Sequence, residues 1–172
     1  ATIRLRKARW DDGSMVTAED LAFTVKAIQD FKVPGHIEKW EIVKDVEVVD
    51  DQTIRFTLRE ASPTFMSRTL LTGFVQKKDW EPVIRGLKEE TAPLQKLIEY
   101  RPDKVVSNGP FSMTSAGTPF LRVLEANPYF FAKGRSIDGL EVGPHIETLF
   151  LNGYPDYEPV SYTHLRAHET VL

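Results

Sequence analysis

The chain has 172 residues, 41% apolar and 27% charged, the make-up of an ordinary folded domain with a real core. Its 22 Lys and Arg against 25 Asp and Glu leave a charge of −3, which gives no polyanion-binding signature and counts against a nucleic acid partner. Cysteine is absent, removing disulfides and thiolate metal sites, and no run approaches the roughly 18 apolar residues of a membrane-spanning helix.

From the N-terminus, Thr2-Ile3-Arg4-Leu5-Arg6 alternates polar and apolar residues as a half-buried strand does. Trp10-Asp11-Asp12-Gly13-Ser14 then supplies a tight turn, with Gly13 free to take positive φ. Thr17 stands where an N-cap belongs, and Asp20 can reach back to it as in a capping box. Glu19 and Asp20 also place negative charge at the positive end of the helix dipole. The helix is predicted over Ala18 to Phe31, with Leu21, Ala22, Val25 and Ile28 as its apolar stripe and Lys32-Val33-Pro34-Gly35 as its stop. A short polar link containing His36 and Trp40 follows.

Ile42 to Arg59 is predicted to be a hairpin. Ile42, Val46 and Val48 share one face of the first strand, and Ile54, Phe56 and Leu58 one face of the second. For these faces to coincide the loop must hold an odd number of residues, and Asp50-Asp51-Gln52 satisfies that. Val48 then pairs with Ile54, Val46 with Phe56, and Glu47 with Arg55. Ser62-Pro63-Thr64 reads as a helix start, with Phe65, Met66, Leu70 and Leu71 on the buried side. Pro82 to Tyr100 is predicted as two short helices divided at Pro93, burying Val83, Leu87, Leu94, Leu97 and Ile98. Arg101-Pro102-Asp103 is a connector and a subdomain boundary. Asn108-Gly109-Pro110 punctuates the backbone before an alternating strand. Ser115 to Thr118 turns into a second strand, Phe120 to Glu125, and His145 to Leu151 is a third.

Several segments, in order and spacing, resemble one family. Ile3-Arg4-Leu5-Arg6-Lys7, Trp10-x-Asp12-Gly13 and Thr17-Ala18-Glu19-Asp20 are similar to the periplasmic solute-binding proteins of the oligopeptide, dipeptide and nickel ABC importers, the bacterial extracellular solute-binding proteins of family 5. The hairpin Val49 to Leu58 extends the resemblance, as do Ser107-Asn108-Gly109-Pro110-Phe111, Asn127-Pro128-Tyr129-Phe130 and Ile137-Asp138. Gln76-Lys77-Lys78-Asp79-Trp80-Glu81 resembles the family's Pro-Lys-His-Trp segment but lacks both Pro and His. Ser107 and Asn108 stand where the family has Gly and Thr.

The resemblance implies an α+β fold, a partial N-terminal lobe of the bilobal (type II) periplasmic-binding-protein architecture. Residues 1–105 correspond to its smaller subdomain and 106–159 to an incomplete start of the larger one. Val160 to Thr170 resembles a translated sequencing adapter, so 160–172 is expected to be a non-native tail that packs against nothing. The implied function is solute capture outside the membrane, with a peptide as ligand and an ABC permease as partner, in the periplasm or anchored at the cell surface. No cofactor is implied.

Chemical motifs are sparse. His164 and His168 have the i, i+4 spacing of a metal pair but lie in the adapter-like tail, while His36 and His145 are isolated. Asp11, Asp12, Glu19 and Asp20 do not follow calcium-loop spacing, and turn and cap roles explain all four. No Ser stands in a Gly-x-Ser-x-Gly elbow, which counts against a hydrolase or transferase. An interaction module that binds no small solute is the other alternative. Asn108 and Gly109 are the candidate ligand contacts, through backbone approach. Trp10, Asp12, Gly13, Thr17, Glu19, Asp20 and Pro110 are structural motif residues.

Overall fold

The computed structural model describes residues 1–102, 104–115 and 121–153. Two three-stranded antiparallel sheets, far apart in sequence, organise them. The first has strand order β1-β3-β2, from β1 (Thr2–Arg4), β2 (Val43–Asp50) and β3 (Thr53–Leu58). The second has order β4-β5-β6, from β4 (Phe111–Ser115), β5 (Leu121–Ala126) and β6 (Thr148–Asn152). A small ribbon, Ser136–Ile137 against Leu140–Glu141, lies between β5 and β6 in the chain.

Helix α1 (Ala18–Phe31) has the expected bounds and packs its predicted stripe on the first sheet. Its stop uses Lys32 in the left-handed region at φ 50°, with Val33 N–H donating to Ile28 O. The link after it contains one helical turn, α2 (Ile37–Trp40), which buries Trp40 against Phe56. Phe65 completes this aromatic cluster, with its ring centroid 5.4 Å from that of Phe56.

The hairpin pairs as the parity argument requires: Val46 with Phe56, Glu47 with Arg55, Val48 with Ile54. The loop itself is shorter than expected. Asp50 pairs with Thr53, leaving Asp51-Gln52 as the turn, and a bulge at Val49 restores the register. A second irregularity, between Val43 and Asp45, makes Val43 rather than Ile42 the fully buried residue at the far end. Val48, expected in the core, is 37% exposed on the edge strand β2, while its partner Ile54 on the central strand β3 is fully buried. We therefore expect Val46→Ala to lower stability by about 1.5 kcal/mol and Val48→Ala by less than about 0.5 kcal/mol. Urea unfolding midpoints check this; equal losses would place Val48 in the core after all.

Other expectations need correction. Phe65–Thr69 forms one π-helical turn instead of a longer helix, and while Phe65 is buried, Met66 and Leu71 are 61% and 80% exposed. The next helix, α3 (Lys77–Leu87), begins five residues before Pro82, which lies inside it. Its buried residue is Ile84, not Val83 or Leu87. Helix α4 (Pro93–Glu99) does begin at the expected proline but has no buried residue, and Ile98 is half exposed. The first strand stops at Arg4. The turn at 116–118, the tail from Val160, and His164 and His168 lie outside the described residues.

Every buried apolar side chain among the described residues lies between Trp10 and Ile84, except Ala132. The second sheet has none: Phe150 is 61% exposed, and Ile146 and Leu151 are exposed beside it.

Candidate functional site

The turn after β1 is held from both sides. Trp10 N–H donates to Ser14 O at 2.9 Å, Gly13 N–H to Trp10 O at 3.0 Å, and Arg9 pairs with Met15 in an isolated bridge. Gly13 sits at φ +83°, a conformation side-chain-bearing residues rarely adopt. The capping box of α1 closes behind it, and Asp20 does more than cap. Its Oδ2 accepts from Thr17 N–H at 2.9 Å, from the Thr17 hydroxyl at 3.2 Å and from the Trp10 indole N–H at 3.2 Å. Its Oδ1 accepts from Lys77 N–H at 2.8 Å, anchoring the start of α3. Asp20 and the Trp10 indole are both buried, so the bond between them forms away from water. Glu19, by contrast, points outward and pairs with Lys77 Nζ at 2.8 Å.

Asp12 gathers a second network. Its Oδ1 accepts from Ser14 N–H at 2.9 Å and from the Ser14 hydroxyl; its Oδ2 accepts from Gln76 Nε2 at 3.2 Å and Lys78 Nζ at 2.9 Å. Burial works to raise its pKa, but the bonds from Ser14, Lys78 and Gln76 together outweigh it and hold the carboxyl well below the usual carboxylate range. A carboxylate depressed on folding stabilises the fold above its unfolded pKa, about 3.9, and this contribution is lost as pH falls towards the folded value. The stability difference between the protein and Asp12→Asn should therefore be constant at neutral pH and shrink steadily below about pH 4. Denaturant titrations at a series of pH values check this; a difference independent of pH would deny Asp12 its ionised role.

Between these networks lies a cleft of about 280 Å³, lined by Ser14, Thr17, Glu19, Gln76, Lys77 and Glu81 among others. Its walls carry charges of both signs. Among the described residues no group of three or more His, Cys, Asp or Glu is placed to hold a metal. No described helix is long and apolar enough to cross a membrane.

The crossover Ser107–Pro110 meets the same turn. Asp11 N–H donates to Ser107 O at 2.8 Å, and Ser107 N–H donates to Asp11 Oδ2 at 3.2 Å. Gly109 N–H bonds Ser107 Oγ at 3.0 Å, and Gly109 O accepts from Asn127 Nδ2 at 2.8 Å. Pro110 O accepts from Asn127 N–H at 2.9 Å. Gly109 and Pro110 thus have their polar backbone groups committed within the fold. Asn108, half-buried just before them, has no hydrogen-bond partner among the described residues, in backbone or side chain.

Gln76, Ser107, Asn127 and Tyr129 belong to this site as much as the motif residues do. All four stand in segments that resemble the family, but nothing beside any of them in the sequence announces the partner it meets at this turn.

Comparison with known proteins fits this geometry. The model for the bacterial extracellular solute-binding proteins, family 5 (Middle) matches residues 1–146. The chain belongs to that family. No curated protein matches it in sequence. Among solved structures, family 5 architecture recurs in AppA of Bacillus subtilis, determined with a nonapeptide: 22% identity, TM-score 0.72, covering 98% of this chain and 31% of AppA. NikZ of Campylobacter jejuni, solved with Ni(L-His), is 19% identical with TM-score 0.67 over 97% of this chain and 30% of NikZ. MoaA of A. tumefaciens R10, solved with mannopinic acid, is 22% identical with TM-score 0.71 over 97% of this chain and 30% of MoaA. The chain therefore spans about 30% of the length of these solved relatives. Its α+β fold is part of a lobe of the bilobal periplasmic-binding-protein architecture, in a family of substrate-binding, non-catalytic proteins.

Proposed function

We propose that this chain is part of the extracytoplasmic substrate-binding component of an ABC importer, which captures a peptide or a related small solute and delivers it to a membrane permease. The observation that carries the reading is the family match over residues 1–146. The relatives' ligands, a nonapeptide, a nickel–histidine chelate and mannopinic acid, share small size and several polar groups. A whole protein of this kind closes two lobes around solute, and solute favours the closed population by touching both lobes at once. No catalytic step or cofactor enters this cycle. The protein works in the periplasm or at the outer face of the membrane.

Within the chain, 1–105 forms the smaller subdomain of the N-terminal lobe and 106–159 opens the larger one. Two separate sheets, and a core confined almost wholly to the first unit, support that division. Asn108 is the residue of the crossover best placed to meet solute, because its hydrogen-bonding groups are uncommitted among the described residues; Gly109 stands beside it as the second candidate. The test is calorimetric titration of a full-length protein carrying these residues with di- to nonapeptides. Binding that weakens on Asn108→Ala is the expected result. Binding to none of the peptides would remove the peptide assignment.

A further inference from the structure

Three segments remote in sequence converge on the turn between β1 and α1. The start of α3 reaches it through Gln76 and Lys78 on Asp12, and through Lys77 on Asp20. The crossover reaches it through the two-bond exchange between Asp11 and Ser107. The turn at Asn127 reaches it through packing: a Cβ built on Gly13 would lie 3.4 Å from the Tyr129 ring, so that ring sits directly over the glycine. Beside it, the Arg6 guanidinium stacks 4.4 Å from the centroid of Phe131. Fully buried Asn127 ties the last two segments together, since it bonds Gly109 O and Pro110 O and also accepts from Tyr129 N–H at 2.8 Å.

We propose that the Trp10–Ser14 turn is a clamp joining the two sheets, so that the crossover and the Asn127 turn lock and open with it as one cooperative unit. The network closes on itself. Each contact alone is modest, but the ring of contacts runs from Asp11 to Ser107, through Gly109 to Asn127, through Tyr129 and back to Gly13. Opening any one arm frees the segments on both sides of it. The two sheets share no strand pairing and little core, so this ring, with the Arg6–Phe131 contact beside it, sets their relative placement. The inference concerns the chain itself and does not depend on which solute, if any, it meets.

Native-state hydrogen exchange on the whole chain tests it with two variants read at remote reporters. In Asp11→Ala the reporters are the amides of Asn127 and Tyr129, which make no bond to Asp11. In Tyr129→Ala the reporters are the amides of Asp11 and Ser107. Both pairs should exchange roughly five- to tenfold faster, the effect of removing one hydrogen bond (Asp11) or one ring contact (Tyr129) from a shared unit. Amides of Val25 and Phe56 in the first core should keep their rates and show that the fold persists. Acceleration confined to residues adjacent to each substitution would overturn the proposal, as would equal acceleration throughout the chain.

Discussion

Asp20→Ala is expected to lower the unfolding free energy by about 3 kcal/mol, far more than an exposed cap residue would. Asp20 is 5% exposed and accepts from three N–H groups and one hydroxyl. Truncation leaves these donors without an acceptor. Water can reach Thr17 and Lys77, which are half-buried, but not the Trp10 indole, which is 1% exposed. The stranded indole costs about 1–3 kcal/mol, and the lost charge at the positive end of α1 adds roughly 0.5 kcal/mol. Asp20→Asn keeps one acceptor oxygen, which can serve Trp10 and Thr17 or Lys77 but not both sides, so about half the loss should remain. Urea unfolding followed by far-UV circular dichroism measures both. A loss under 1 kcal/mol for Asp20→Ala would mean that the network re-forms through water and that Asp20 is an ordinary cap.

The second large effect concerns binding. The 172-residue chain alone is expected to show no detectable affinity for di- to pentapeptides. It spans about 30% of the length of relatives solved with bound solutes. Under the two-lobe reading, a one-sided surface makes about half the contacts and excludes little water, while the entropy of association is undiminished. Losing even ~4 kcal/mol of contact energy weakens binding about a thousandfold. Titration calorimetry of the chain beside a full-length protein carrying it makes the comparison. Micromolar binding by the chain alone would place a complete site within these residues, and the two-lobe reading would fall.

What was legible in the sequence was whatever short-range physics decides. The bounds of α1 follow from Thr17, the period of Leu21, Val25 and Ile28, and the Lys32–Gly35 stop. The hairpin pairs follow from parity, which survived even though the loop did not: a bulge at Val49 exchanged a three-residue loop for a two-residue one without moving Val46 from Phe56. Decisions made across the chain were not legible. Helix α3 starts at Lys77 because a carboxylate 57 residues earlier accepts its first amide, and nothing near Lys77 announces that. Pro82 looked like a start because its missing N–H is harmless there; an earlier start was invisible. Met66 and Leu71 were assigned to a buried face by type alone, yet no described segment covers them. At the site, Asp11 gave only a turn signal, and its partner Ser107 lies 96 residues away.

The placement of the tryptophans has a practical consequence. Trp10 packs edge-on against Phe74 and Trp80 edge-on against Tyr100, while Trp40 meets Phe56 at a tilt. All three lie in the first 80 residues, and the second sheet has only tyrosine and phenylalanine nearby. Intrinsic tryptophan emission therefore follows melting of the first core and of the α3–α4 pair directly, and senses β4, β5 and β6 only through the turn that carries Trp10. A single smooth emission transition would describe less than the whole molecule, and unfolding of the second sheet must be followed through backbone signals.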